Sequence, residues 1–292
     1  MTGAATTGPL RLTPMGRHDS PRLLAFVGAH AVPGVEAWDG TVWTSSLHLP
    51  HGPGVLQVSA ADRGYDVRLR LSDPADEPVA VARLVRLLDL DRDVAAAEAH
   101  LGADPVLAPL VARRPGLRVP AELDAFETLV RTIIGQQISV SGARTVTARL
   151  VRAAGTALPP ALQLYPDVTH TFPLARTVAA LDPDGEALAM PRARARAVVA
   201  AGWAFADREP GGGAPSRAEL LALPGIGPWT ADYLDLRVRR DPDVLMVTDL
   251  AVRRALEALG VRGSAQVAAV GETWRPFRST ALMHLWAEYL HL

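Results

Sequence analysis

The chain of 292 residues has no cysteine, and its thirty basic residues are all arginine, so lysine is missing as well. Without cysteine there is no disulfide, no cysteine-held iron–sulfur cluster, no thiolate zinc site and no thiol nucleophile. Without lysine no side chain can form a Schiff base. An arginine-favouring genome explains that absence without functional pressure, and the chemical consequence is the same. Charge of one sign is also missing: 30 basic against 31 acidic residues leave a net charge of −1. Any surface for nucleic acid must therefore be local. No apolar run is long enough to span a bilayer, so no membrane partner is expected. The opening MTGAATTGPLRL has neither the charged leader nor the apolar core of a secretion signal. A cytoplasmic protein is expected.

What is present is ordinary for a soluble globular chain: 49% hydrophobic and 21% charged residues, with a length that allows two domains or one large one. Twenty-four glycines and twenty-four prolines are spread along it, which implies many short connections. Ser20 to Val32 reads as a helix, with a cap-capable Ser20, Pro21 at the first position and apolar residues at helical spacing. Strands follow in GVEAW, in Thr41 to Leu49, in GVLQVSA and in Tyr65 to Asp73, where VRLRL alternates as a one-sided sheet does. Glu77 to Leu90 returns to a helical period. From about Asp91 strand patterning disappears. Helices are expected over Asp124–Gln136, Ser139–Ala154, Leu174–Leu181, Arg192–Ala206, Ser216–Leu223, Gly227–Arg239, Asp249–Leu259 and Thr273–Leu290. The loop Glu209 to Ser216, with three consecutive glycines, is the most flexible-looking. The fold class predicted is α+β: a small N-terminal antiparallel-sheet domain with helices, residues 10–110, followed by an all-α domain, residues 111–292.

Within the helical part, LPGIGPWTADYL interrupts two helices. Ser216-Arg-Ala-Glu219 is a capping-box pattern, Pro224 cannot continue that helix, and Pro228 suits the first position of the next. Gly225 and Gly227 can take backbone angles closed to other residues and leave the turn bare. Two helices joined this way point free amides outward together, which suits an anion such as phosphate. A bare G-x-G reads as a plain αα-corner. The fuller pattern of Pro-Gly-apolar-Gly-x-x-Thr-Ala over residues 216–240 resembles the DNA-binding helix–hairpin–helix. Asp249 stands where the apolar run VLMV gives way to a helical period, 22 positions after Gly227. By itself it reads as a helix N-cap.

A helix–hairpin–helix followed at that distance by Val-x-Asp resembles the base-excision DNA glycosylase superfamily. DAFETLVRTIIGQQISVSGARTVTARL (Asp124 to Leu150), FPLARTVAALDPDGEALAMPRARARAVVAAG and ETWRPFRSTALMHLW (Glu272 to Trp286) resemble the DNA-3-methyladenine glycosylase II family within it. LLAFVGAHAVPGVE with the strands after it resembles that family's extra α+β domain, so the likeness covers almost the whole chain after about residue 10.

The resemblance implies a hydrolase that flips an alkylated base out of double-stranded damaged DNA and cleaves its N-glycosidic bond, leaving an abasic site for base-excision repair. It implies Asp249 as the catalytic carboxylate and Trp229, Tyr233, Trp286, Phe26 and Leu250 as walls of the base pocket. It implies Gly225, Gly227 and Thr230 as DNA contacts and Gln137 as the wedge that fills the gap. Superfamily members that also cut the strand use a hairpin lysine. Trp229 occupies that position, so a monofunctional enzyme is expected. Two residues depart from the family pattern: Leu250 replaces an aromatic, and Gln137 a leucine wedge. No cofactor is expected to be required, although the family hairpin binds a monovalent cation, Na+ or K+, through carbonyls matching Leu221, Leu223 and Ile226. A monomer associated with the bacterial nucleoid is expected. The family occurs both free and joined to a methyl-accepting regulatory module. Two alternatives stand beside this reading: a glycosylase of the same fold for hypoxanthine, uracil or a mismatch, and a non-catalytic DNA-binding module.

Overall fold

The computed structural model describes residues 5, 6 and 8–290, with 5 and 6 described by their backbone alone. The opening MTGAATTGPLRL lies partly outside these residues. Strands β1 (Ala5–Thr6), β2 (Leu10–Leu12), β3 (Glu36–Trp38), β4 (Val42–Leu49), β5 (Gly52–Ala61) and β6 (Gly64–Leu71) form one antiparallel sheet in the order β1-β6-β5-β4-β3, with β2 also on β6. The β5–β6 hairpin closes on Asp62 and Arg63, with Ala61 opposite Gly64. Gly64 has φ +116°, and a Cβ there would lie 2.0 Å from the Leu12 carbonyl oxygen, so this turn requires glycine.

Alternation along β6 puts Tyr65, Val67, Leu69 and Leu71 into a core with Leu56 and Val58. Helices α1 (Ser20–Ala29) and α2 (Glu77–Leu87) cover that face through Leu23, Leu24, Leu84 and Leu87. Both helices stop earlier than their periodicity suggests. Pro33 follows the end of α1 within a few residues, and Asp89 takes a left-handed φ of +52° just after α2. The opposite face of the sheet is covered by later chain. Val55 packs with Leu158, Leu162 and Val168, while Ser46 Oγ donates to the His170 carbonyl (2.6 Å) and His48 Nε2 to that of Phe172 (2.7 Å). The sheet is thus sandwiched, and its far side reaches the helical part.

The helices form two further cores. One gathers α5 (Ala125–Gly135), α6 (Val140–Ala154), α7 (Ala175–Ala179), α8 (Arg192–Phe205), α9 (Arg217–Leu221) and α10 (Pro228–Arg237) around Leu129, Ile133, Val198 and Leu234. The other joins α3 (Ala95–Gly102) and α4 (Ala108–Arg113) to α11 (Leu250–Ala258), α12 (Gly263–Thr273) and α13 (Arg278–Tyr289) around Leu101, Leu110, Leu256, Trp274 and Leu282.

Three sequence expectations change here. The helix expected over Thr273–Leu290 begins only at Arg278, because Pro276 supplies no amide and the chain turns there, with Phe277 N donating to the Trp274 carbonyl (2.8 Å). α3, α4 and α12 went unpredicted: α3 and α12 are rich in alanine and small residues that give no clear stripe, and α4 is only six residues long. Strand pairing does not end at Asp91, since β7 (Thr156–Ala157) and β8 (His170–Thr171) make a short antiparallel ribbon.

Candidate active site

The hairpin is built locally as its residues require. Ser216 Oγ accepts the Glu219 amide (3.3 Å) and Glu219 returns a carboxylate oxygen to the Ser216 amide (2.6 Å), a closed capping box at the start of α9. Pro224 ends the run, and Gly225 takes φ +77°. Gly227 does not need glycine for its backbone: it is extended (φ −105°, ψ 178°) and caps α10. A Cβ on Gly227 would meet nothing within 4 Å, so the missing side chain keeps open space in front of the helix. Gly227 offers no side-chain cap and Pro228 has no N–H, which leaves the amides of Trp229 and Thr230 without a partner earlier in their helix. The side chain of Thr230 is buried (2% exposed), so a phosphate contact by its hydroxyl is not what this residue offers; its amide is. Gln136 Nε2 donates to the Gly225 carbonyl (3.2 Å), tying the hairpin to the next loop, where exposed Gln137 has φ +59°. The carbonyl of Leu223 accepts the Ile226 amide (3.2 Å). Among the described residues no cluster of His, Cys, Asp or Glu could hold a metal ion.

Asp249 is the N-cap of α11, its Oδ1 accepting the Val252 amide at 3.0 Å. Two further donors converge on it: Trp286 Nε1–H on Oδ1 (3.0 Å) and Trp229 Nε1–H on Oδ2 (2.9 Å). Trp229 stacks on Tyr233 with centroids 5.5 Å apart and planes 9° from parallel, one helical turn along α10. Tyr233 in turn lies 6.4 Å from Trp286, tilted by 44°.

These residues open onto a cavity of about 830 Å³ between the N-terminal sheet unit and the helices, lined by Phe26, Gln137, Gly227, Trp229, Tyr233, Asp249 and Leu250. Leu250 is 62% exposed at its mouth. Trp286, expected as a pocket wall, is not among the lining residues. It is 8% exposed and stands behind the carboxylate.

The inner wall holds charged groups that the sequence reading missed. Arg237, 5% exposed, places its guanidinium 5.6 Å from the Phe26 ring centre and 5.5 Å from that of Tyr233. It donates to the Tyr233 hydroxyl (3.2 Å) and pairs with Glu122 (2.7 Å). Burial raises the Tyr233 phenol above its ordinary value, partly countered by that cation.

Deeper in the cavity, one Arg131 nitrogen meets both Glu36 and Glu127 at 3.0 Å, and its neighbour donates to the His30 carbonyl (2.8 Å). Burial pushes Glu127 up to about 8 and Glu36 upward too, against the pull of the shared guanidinium. Burial lowers His30, against the opposing hydrogen bond to the Phe26 carbonyl. Arg237 was findable, since 229, 233 and 237 share one helix face. Glu36 and Arg131 are 95 positions apart, and nothing local links them.

The N-terminal part, residues 9–124, matches the family model for the AlkA N-terminal domain. The chain is 37% identical over 296 residues to the Mycobacterium tuberculosis protein named "Probable bifunctional transcriptional activator/DNA repair enzyme AlkA", covering 99% of this chain and 59% of that one. It thus spans about three fifths of the length of that curated relative. It is 33% identical over 278 residues to "DNA-3-methyladenine glycosylase 2" of Escherichia coli K12, covering 92% of this chain and 93% of the relative. Its fold matches a solved structure of 3-methyladenine DNA-glycosylase from Archaeoglobus fulgidus, with TM-score 0.79 at 20% identity, covering 97% of this chain and 98% of the other. The match over residues 9–124 and the identity to that relative agree, and the chain is a member of the AlkA family of DNA-3-methyladenine glycosylases.

Proposed function

We propose that the chain is a monofunctional DNA glycosylase that takes a 3-methyladenine-type alkylated base from double-stranded damaged DNA and hydrolyses its N-glycosidic bond. One observation carries the reading: the Asp249 carboxylate faces a cavity whose rim also includes the hairpin glycine Gly227 and the exposed loop residue Gln137. Phosphate gripped by the bare turn at Gly225 and Gly227 and by the amides of Trp229 and Thr230 brings a flipped nucleotide to that carboxylate. Gln137 fills the gap left in the stack.

Loss of the base develops positive charge on the deoxyribose, and the fixed negative charge of Asp249 stabilises it while water attacks. An alkylated purine is already a cation, so it leaves without a strong acid. Trp229, Tyr233 and Phe26 give it an electron-rich enclosure, with Leu250 at the mouth. Trp229 fills the position that an amine needs for strand cleavage, and with no lysine in the chain the product is an abasic site.

The same reading includes a sheet unit at 10–110 and a helical unit at 111–292, a monomer, and a cytoplasmic, nucleoid-associated location. Among the described residues no helix is long and apolar enough to cross a membrane. No cofactor is required. The carbonyls of Leu221, Leu223 and Ile226, hard neutral oxygens at a helix end, would hold a monovalent cation, which would supply positive charge beside the turn.

The test is release of methylated bases from alkylated duplex by wild type and by Asp249→Asn. Loss of release in the variant, with the wild-type product cut only after alkali, supports the proposal; equal release in the two removes Asp249 from the chemistry. One observation favours a wider lesion range, hypoxanthine included. The Arg237 cation already sits over Phe26 and Tyr233, so those faces do not select for positive charge alone. Comparable release of hypoxanthine and 3-methyladenine would establish that range.

A further inference from the structure

We infer that Trp229 and Trp286 are positioning residues for Asp249, acting through their indole N–H groups, and that Trp229 ties the carboxylate to the hairpin. The inference rests on reading Asp249 as the catalytic carboxylate.

A helix-capping aspartate needs one oxygen, and Val252 already takes Oδ1. Here a second donor reaches Oδ1 and a third reaches Oδ2 at 2.9 Å. The donors come from α10, α11 and α13, so any rotation of the carboxylate breaks a bond to another helix. Satisfying buried indoles does not explain the arrangement. Trp43 and Trp274 are more deeply buried, at 1% and 0% exposed, and their Nε1 atoms have no partner. Trp286 is not among the residues lining the cavity, whereas its N–H reaches the carboxylate.

Trp229 does two things at once. Its face stacks on Tyr233 while its edge holds Asp249. It is also two residues beyond Gly227, in the first turn of α10, where the open amides are. A phosphate seated on that turn and a carboxylate held from the same turn keep a fixed separation. Docking of the hairpin on DNA therefore sets the carboxylate against the sugar, which is where geometric error is costly.

Trp229→Phe and Trp286→Phe keep a ring and remove the donor. The measurements are single-turnover base release from methylated duplex, affinity for an abasic-site duplex, and the indole region of a 1H–15N spectrum of wild type, both variants and Asp249→Asn. Charged hydrogen bonds of this kind predict release roughly tenfold to a hundredfold slower in Trp229→Phe, with affinity within about twofold. The indole signals of Trp229 and Trp286, identified by their loss in the two Phe variants, should move upfield in Asp249→Asn while the other indoles stay. Unchanged release in a folded Trp229→Phe, or indole signals indifferent to Asp249→Asn, overturns the inference. Trp229 is only half-buried, so its variant carries the test if Trp286→Phe fails to fold. Wild-type release by Asp249→Asn would defeat the catalytic assignment instead, and the indole signals report independently of activity.

Discussion

Glu127→Gln should stabilise the protein in alkaline solution far more than in mild acid. Glu127 and Glu36 share one nitrogen of Arg131, each at 3.0 Å, with side chains only 19% and 9% exposed. Burial comes first among the causes that lift Glu127 from its ordinary 4.5 to about 8, with the Arg131 cation opposing and Glu36 adding to the rise. The unfolded chain ionises near 4.5 and the folded chain near 8, so stability is fully present below 4.5 and is lost as pH rises through 8. Each pH unit between these limits removes about 1.4 kcal/mol. Wild type therefore loses about 3 kcal/mol from this group between pH 5.5 and 8.5, less whatever Glu36 absorbs. Gln has the same shape and no proton to lose, and Arg131 keeps Glu36. Urea unfolding of both proteins at the two pH values measures it. The advantage of the variant should grow at pH 8.5 with the urea slope unchanged. A difference independent of pH would mean that burial does not raise Glu127, and the electrostatic account of the inner wall would fall with it.

Other outcomes follow from single contacts. Arg118, 2% exposed, donates to the carbonyls of Met15, Arg17, Asp89 and Arg92, so Arg118→Ala should cost about 3 kcal/mol or more in thermal or urea unfolding. Gly225→Ala meets φ +77° and an Ala197 Cβ 3.2 Å away. It should cost about 1–2 kcal/mol and weaken binding to undamaged duplex, measured by anisotropy. Arg237→Met uncovers the Phe26 and Tyr233 faces, and the ratio of 3-methyladenine to hypoxanthine release should rise. Leu250→Ala at a 62% exposed position should leave the melting temperature nearly unchanged, within about 0.5 kcal/mol, while altering release rates.

Much of the fold was legible where a local rule operates. β6 announced itself by alternation, α9 by its capping box, and α10 by Pro228 after a glycine turn. α12 and the break at Pro276 were harder to read. Small residues give no stripe, and a proline between two apolar helices permits either a kink or a stop. The hairpin and Asp249 could be named as candidates because their spacing along the chain is short. Trp286 could be named as a pocket residue, but its distance in sequence says nothing about which edge of the ring meets the carboxylate.

From its sequence alone this chain excludes side-chain thiol and lysine chemistry, marks the glycine turn and the capping aspartate, and divides a strand-rich beginning from a helical remainder. Those properties depend on residue identity and on spacings within one or two turns of backbone. Tertiary structure alone decided that Trp229 and Trp286 donate to opposite oxygens of Asp249, and that Arg237 occupies the aromatic faces. It also decided that Glu36 meets Arg131 across 95 residues. Such contacts depend on how three cores pack against one another, and a side chain's hydrogen-bond partner is set by which edge that packing leaves within 3 Å.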